Sequence, residues 1–428
     1  MKKIIFTIDL DSFFASCEEA RNPEYKGMPL AVVTGHGDKR GVVGACNYPA
    51  RDKGIHAGMP LFKANRLCPK LVKIETDFEY YVEKGEEVFQ IIDKYTNKLE
   101  VGSIDEVFID VADKTDRENA VSYAKKIYFE VLEKTGLTIS IGISDNKIIS
   151  KVASGLDKPS GITEIYTDQL DERYWYLDIK KIPYVGNATN IVFKGHGINT
   201  IGDLAKLDTN SDKYFEIKKQ LGIKLDGFIE VAKGTNPSVI DDGYHKVKSL
   251  SISQTFPKNL LGADRVKSEM LEITKKVVSK MKYRNLIGRT VYFSTKDEGP
   301  WNYKNMSISL DEPTNDISLI FGNVMKLFDQ WWDDKTEDEG VRFISIGVSN
   351  LYDAFHSAEQ ITFETLEEAE KISRERTKEE NIVKDLNHIL GFEALRTGWQ
   401  QAYIKRFVDK SINGGDKAKF KRWNEDYN

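Results

Sequence analysis

Two acidic sites lie embedded in apolar, strand-like sequence, and they constrain what this chain can fold into more than any other feature. The first is Asp9, near the end of Lys3-Ile4-Ile5-Phe6-Thr7-Ile8-Asp9-Leu10-Asp11. The second is Asp105-Glu106, within Val101-Gly102-Ser103-Ile104-Asp105-Glu106-Val107-Phe108-Ile109. Carboxylates in apolar β-type sequence are costly to bury unless a cation pairs with them. Their oxygens suit a hard ion such as Mg2+, usually held by one or two carboxylates together with substrate phosphates. Adjacent strand residues face opposite ways, so Asp105 and Glu106 serve one site only at a bend, which Gly102-Ser103 makes available. The expectation is two-metal phosphoryl or nucleotidyl transfer. Asp11 precedes a helical run, residues 13–20, and reads as its N-cap.

Other chemistries are disfavoured. Cys17, Cys46 and Cys68 are widely spaced with no CxxC pair, and the six histidines are scattered. That pattern predicts free thiols in a reducing cytoplasm and no zinc site. No apolar run is long enough to span a bilayer, and Met1-Lys2-Lys3 leads into a strand rather than a secretory signal. A cytoplasmic protein without membrane partners is expected. The net charge of −5 argues against a surface that grips a polyanion everywhere. Nucleic-acid binding would have to come from local patches.

Residues 1–165 alternate strand-like runs (4–10, 30–33, 107–111, 137–143) with helical ones (78–95, 117–135), the mark of an α+β domain with a central sheet. A Gly- and Lys-rich insert, 21–69, reads as a small lobe. Residues 166–240 read as short helices punctuated by Gly186, Gly195, Gly197, Gly202 and Gly222. After a polar linker, residues 248–350 give strand, helix, strand, strand, helix, strand, a ferredoxin-like βαββαβ order. Residues 356–428 form a charged tail with helical character.

Six motifs in register then carry a resemblance. Asp9-x-Asp11-x-Phe13-Phe14, Cys46-Asn47-Tyr48-x-Ala50-Arg51 and Gly54-Ile55-x-Ala57-Gly58-Met59-Pro60 are three of them. Ser103-Ile104-Asp105-Glu106, Gly142-Ile143-Ser144-x-Asn146-Lys147 and Lys158-Pro159-x-Gly161 complete the set. Together they resemble the Y-family, or lesion-bypass, DNA polymerases of the DinB/UmuC group, with the long tail leaning to the UmuC-like branch. The resemblance implies a right-hand architecture: palm at 1–16 and 75–165, fingers at 17–74, a helical thumb at 166–240, a linker at 241–247, a little finger at 248–355 and the tail beyond.

The resemblance also implies roles. Asp9, Asp105 and Glu106 would be catalytic, holding two Mg2+ ions with the Leu10 carbonyl as a further ligand. The amides of Phe13 and Phe14, with Tyr48, Arg51 and Lys158, would bind the triphosphate. Phe14 would be the steric gate that excludes a 2′-hydroxyl. Gly44, Ala45 and Gly58 would leave a roomy pocket over the nascent base pair, hence low fidelity. Gly186, Gly195 and Gly197 would bring thumb amides near a DNA phosphate, with Tyr184 standing where a glycine is usual. Lys246, Lys248, Arg284 and Arg289 would grip the DNA backbone irrespective of sequence. Gln360, Ile361 and Phe363 form a shorter counterpart of the Gln-Leu-x-Leu-Phe peptide that UmuC-type relatives present to the replication sliding clamp. Primer-template DNA and a deoxynucleoside triphosphate are the implied substrates, and a recombinase filament or accessory subunit would be a further partner. No room is left for a proofreading exonuclease. The implied function is error-prone translesion synthesis in SOS-type damage tolerance and DNA repair. Competing readings are a palm-type nucleotidyl cyclase, which has no use for residues 166–350, and a catalytically inactive damage factor occupying primer ends or the clamp.

Overall fold

The computed structural model describes residues 3–35, 41–237, 239–240, 247–296, 303–332 and 340–354. The chain divides into two compact units, Met1–Gly243 and Tyr244–Asn428. Among the described residues the first holds eight strands: β1 (Ile5–Leu10), β2 (Leu30–Thr34), β3 (Val42–Cys46), β4 (Val72–Glu75), β5 (Lys98–Ser103), β6 (Glu106–Asp110), β7 (Ile139–Ser144) and β8 (Ile162–Glu164).

Five of them form the central sheet in the order β5-β6-β1-β7-β8, so the strand carrying Asp9 lies in its middle. β1 pairs antiparallel with β6 and β7. Strand alternation sends Phe6 and Ile8 into a core with Tyr81, Val88, Ile92, Ala124 and Ile127. Those partners come from helices Phe78–Asp93 and Ala120–Thr135. The Asp77 side chain caps the first of these, and the second ends at Gly136 in the left-handed region, φ 70. Thr7 and Asp9 point the other way, where the Thr7 hydroxyl lies 2.7 Å from that of Ser150 on helix Lys147–Ser154. Gly142 makes this packing possible, because a Cβ there would sit 1.9 Å from the Ser150 carbonyl oxygen.

β3, β2 and β4 form a separate three-stranded sheet over a core of Ala31, Val33, Val43, Ile55 and Leu61. β3 and β4 were not anticipated from the sequence. Both are short, and β3 carries a register shift opposite Val32 and Val33 that leaves Gly44 without a partner. Residues beyond Ile165 are helical as expected, with helices Asn187–Gly195, Ile201–Ala205, Asp212–Leu221 and Lys224–Lys233 closing on Phe193, Ile201, Leu204, Ile217 and Phe228.

The second unit follows the expected βαββαβ order: β9 (Ser249–Leu260), helix Ala263–Tyr283, β10 (Leu286–Lys296), β11 (Tyr303–Thr314), helix Ile317–Trp332 and β12 (Val341–Asp353). Its sheet runs β11-β10-β12-β9, all antiparallel. One face, with Ile252, Val291, Phe293, Ile344 and Ile346, packs on the two helices. Among the described residues no helix is long and apolar enough to cross a membrane.

Candidate active site

Register brings the acidic residues together. Asp9 on β1 lies directly opposite Glu106 on β6, and directly opposed antiparallel residues project side by side on one face. Asp105 occupies the two-residue turn Ile104-Asp105 between β5 and β6, the bend that the sequence required. β5 and β6 shift register between Val101 and Ser103, so Asp105 is released from strand alternation. The Leu10 amide donates to the Asp105 carbonyl at 2.8 Å, tying the end of β1 to the turn.

Asp105 is half-buried, and desolvation pushes its carboxyl above the ordinary value; the hydroxyl of Ser103 pulls it back, and the neighbouring Asp9 charge pushes it up further. The Ser103 hydroxyl donates to Asp105 Oδ1. Two ammonium groups sit against the other carboxylates. Lys151 Nζ contacts Glu106 Oε2 and lies 3.2 Å from Asp9 Oδ2. Lys158 Nζ contacts Asp9 Oδ1 and lies 3.9 Å from Asp11 Oδ1. Among the described residues, no three acidic, histidine or cysteine side chains stand in a ready metal-ligating arrangement; in this structure Lys151 and Lys158 take the positions beside the carboxylate oxygens.

Lys151 was not singled out from the sequence. On helix Lys147–Ser154 it sits one turn after Lys147, whose ammonium pairs with Glu100 at 2.5 Å. The signal was this i, i+4 pair of lysines on a helix that otherwise buries Ile149 and Val152. Asn146 fixes the helix start by accepting from the amides of Ile148 and Ile149 at 2.9 and 3.2 Å.

Asp11 is not the N-cap that its position implied. Ser12 takes that place, in the left-handed region at φ 47, and the Asp11 side chain turns inward and is buried. It accepts from the Ser140 hydroxyl at 2.7 Å and from the Ser160 amide at 2.8 Å. It thereby fixes the loop bearing Lys158 against β1 and β7. Tyr48, the first residue of helix Tyr48–Arg51, reaches Asp11 Oδ1 at 3.5 Å. Burial, then the Asp11 charge, push its phenol up to about 12, so it stays a donor. The Arg51 guanidinium lies over the Tyr48 ring at 5.0 Å, and its Nε donates to the Cys46 carbonyl at 3.2 Å.

Phe13 and Phe14 open helix Phe13–Arg21, so their amides belong to its free N-terminal set. Phe14 stacks on Tyr81, with centroids 4.5 Å apart and planes at 16°, and meets Phe78 edge-on at 5.7 Å. Gly44 is the unpaired bulge of β3, beside half-buried Ala45; Gly58 is exposed with φ +82. In the helical region Gly186 precedes helix Asn187–Gly195, Gly195 ends it and Gly197 follows at φ +68. Tyr184 adopts φ +70 with 89 % of its surface exposed, so the turn keeps a glycine-like conformation despite its side chain.

In the second unit Lys248 and Arg289 are exposed and Arg284 is half-buried at a helix end. Arg289 Nε donates to the Leu310 carbonyl at 3.0 Å. Lys246, Gln360, Ile361 and Phe363 lie outside the described residues, as do 241–246 of the linker and the tail. The sequence reading missed the sheet face opposite the two helices, which is paved with mostly half-buried hydroxyls. Ser345 on β12 stands between Ser253 on β9 and Ser294 on β10, and Ser349 between Ser249 and Thr290. The signal was the alternation Ser249-Leu250-Ser251-Ile252-Ser253.

A mostly antiparallel sheet with an acidic cluster on its central strands, lysine ammonium groups against those carboxylates and a separate βαββαβ unit define a palm-type polymerase. Residues 8–155 match the model of the impB/mucB/samB family, and residues 247–363 match the C-terminal domain of the same family. DNA polymerase IV of Ureaplasma parvum is 34% identical over 82% of this chain and 95% of its own length. DNA polymerase IV of Bacillus velezensis is 29% identical over 96% of this chain and 95% of its own. A Y-family DNA polymerase chimera of Dbh and Dpo4 superposes with a TM-score of 0.71 at 27% identity, over 81% of this chain and 98% of that one. The chain belongs to the impB/mucB/samB family, the Y family of DNA polymerases. These relatives are of the DinB type, and the leaning to the UmuC-like branch is not confirmed by them.

Proposed function

We propose that this chain is an error-prone translesion DNA polymerase that extends a primer 3′ end on damaged template by two-metal nucleotidyl transfer. The observation that carries the reading is the opposition of Asp9 to Glu106, with Asp105 in the adjoining turn held to the Leu10 amide at 2.8 Å. A half-buried carboxyl raised by desolvation and by a like charge is stabilised by a divalent cation, and the donor set is all oxygen, which fits Mg2+. Asp9, Asp105, Glu106 and the Leu10 carbonyl would hold two such ions. The chemistry gained is Lewis-acid activation of the primer hydroxyl and neutralisation of the departing pyrophosphate.

The protein's own groups do the rest. Tyr48, Arg51, Lys158 and the amides of Phe13 and Phe14 bind the triphosphate; Arg51 supplies a planar fork and Lys158 a point charge. Phe14 lies under the sugar as the steric gate. Gly44, Ala45 and Gly58 leave space over the base pair and so tolerate lesions. In the thumb, Gly186, Gly195 and Gly197 bring amides near the DNA backbone. Lys248, Arg284 and Arg289, with Lys246, contact phosphates, and the hydroxyl face of the second unit adds uncharged donors to the backbone.

Primer extension across an abasic template, with each deoxynucleotide supplied separately, tests the reading. Wild-type protein with Mg2+ should extend, while the Asp105→Ala, Glu106→Ala double variant should bind primer-template DNA yet fail to extend. Binding without extension by the wild type would instead establish the inactive damage factor.

A further inference from the structure

Helix Phe13–Arg21 presents Phe14 and Glu18 one turn apart, and both meet the same side chain. Tyr81, on helix Phe78–Asp93, lays its ring against Phe14 at 4.5 Å and 16° and donates its hydroxyl to Glu18 Oε1 at 2.8 Å. Tyr81 is fully buried and Glu18 is 2 % exposed. A buried carboxylate is expensive to keep, yet its remaining partners are peripheral: Arg21 Nη1 at 3.9 Å, itself 47 % exposed, and the Asn22 amide at 3.5 Å. Burial, then the Glu18 hydrogen bond, hold the Tyr81 phenol well above its ordinary range, so it remains a donor at any working pH. The hydrogen bond anchors the far end of the Tyr81 ring and stops it swinging about the Cα–Cβ bond, and the stack transmits that position to Phe14. Phe78, edge-on to Phe14 at 5.7 Å, closes the other side.

We propose that Glu18 and Tyr81 are a positioning pair: their buried hydrogen bond sets the tilt of the Phe14 ring and thereby how strictly a 2′-hydroxyl is refused. The proposal rests on the reading of Phe14 as the steric gate and extends it to two residues outside the nucleotide pocket. A ring free to rock by a few degrees opens space for one oxygen without abolishing the pocket. The effect therefore falls on sugar discrimination more than on deoxynucleotide turnover.

The test measures kcat/KM for a matched dNTP and its ribo counterpart with the full chain, alongside thermal melting. Phe14→Ala should collapse the dNTP/rNTP ratio. Tyr81→Phe, which keeps the ring and loses the hydroxyl, and Glu18→Met, which loses the acceptor, should each lower the ratio roughly tenfold, the scale of one hydrogen bond to a charged group. The loss should appear mainly as a lower KM for the ribonucleotide. Because both variants break one bond, the double variant should be no worse than either alone. Glu18→Gln keeps an acceptor oxygen and should restore the ratio. If Phe14→Ala leaves the ratio intact, the gate reading fails and this proposal with it. If Phe14→Ala collapses the ratio while Tyr81→Phe keeps it at the wild-type value, the positioning pair alone is overturned, whatever happens to the melting temperature. Glu18→Gln as permissive as Glu18→Met also overturns it. Should Glu18→Met not fold, Tyr81→Phe and Glu18→Gln decide.

Discussion

A glycine in the middle of helix Phe78–Asp93 ought to be a defect, and replacing it tests how the turn carrying Asp105 is held. A helix-interior glycine costs about 1 kcal/mol relative to alanine. At Gly85 that cost has a return. A Cβ there would lie 2.8 Å from the Ile104 carbonyl oxygen and 3.5 Å from the Phe13 ring. Ile104 is half of the turn whose other half is Asp105. Ordinary contact begins at 3.4 Å, so Gly85→Ala drives the turn back by about 0.6 Å. Overpacking of this kind costs roughly 1–3 kcal/mol, against a propensity gain of about 1. The fold should therefore lose no more than about 2 kcal/mol. Activity should suffer more: a misplacement of about 1 Å can cost ~100-fold, so a shift near half that size predicts about a tenfold fall in kcat. The matched control is Gly227→Ala on helix Lys224–Lys233, where an added Cβ meets nothing within 4 Å. It should gain about 1 kcal/mol at full activity. Single-turnover insertion at saturating nucleotide, with thermal melts of both variants, reads the difference. A Gly85→Ala protein as stable as Gly227→Ala, with wild-type turnover, would refute the reasoning.

Three other outcomes follow from the same geometry. Tyr184→Gly should raise stability by roughly 0.5–1 kcal/mol, since relief of the left-handed cost exceeds the entropy that glycine adds to the unfolded chain; a lowered melting temperature would show that the exposed ring makes contacts of its own. Ser253→Glu with Ser345→Glu, side by side on the sheet face away from the helices, should weaken DNA binding at least tenfold through phosphate repulsion and cost about 1 kcal/mol of stability or less from the opposed charges, as filter binding and calorimetry would read. The Glu130 carboxyl is held below its ordinary 4.5 by hydrogen bonds from Lys134 and then Tyr95. It therefore contributes stability present above that pH and lost as pH falls through the depressed value. Glu130→Gln should flatten the acid limb of the stability profile, and an unchanged limb would remove Glu130 from the account.

How much of this was readable in advance depends on the range of the interaction that decides it. Helix Ile317–Trp332 and strands β9 to β12 follow from local periodicity, which side-chain alternation writes directly into the chain. β3 and β4 escaped because a bulged five-residue strand and a four-residue strand leave too little alternation to see. The acidic residues were legible as chemistry, and their convergence was expected from the resemblance and the bend at Gly102-Ser103, but no local pattern writes it. It depends on the β1–β6 register, a pairing across nearly a hundred residues, and on the turn that frees Asp105. Lys151 hid as one more cation on an amphipathic helix. The serine face hid because serine is unremarkable at a single strand position until three strands place their hydroxyls on one surface.

The error over Asp11 shows what the local pattern lacked. Asp followed by Ser and an apolar helix is the usual N-cap signature, and both residues are competent to cap. The contest is settled by partners far away in sequence. Ser140 and the Ser160 amide offer Asp11 two neutral donors inside the fold, while Ser12 takes the cap position without a side-chain bond. Asp9, two residues earlier on β1, is met instead by the flexible ammonium groups of Lys151 and Lys158, whose side chains are 32 % and 23 % exposed, while Lys158 comes no nearer to Asp11 than 3.9 Å. A carboxylate held by fixed neutral donors is structural, because exchanging its partners would strand buried N–H and O–H groups. A carboxylate held by long, partly solvated ammonium groups exchanges them cheaply for another cation. One tripeptide thus carries a brace and the proposed ligand, and the nature of the partner distinguishes them.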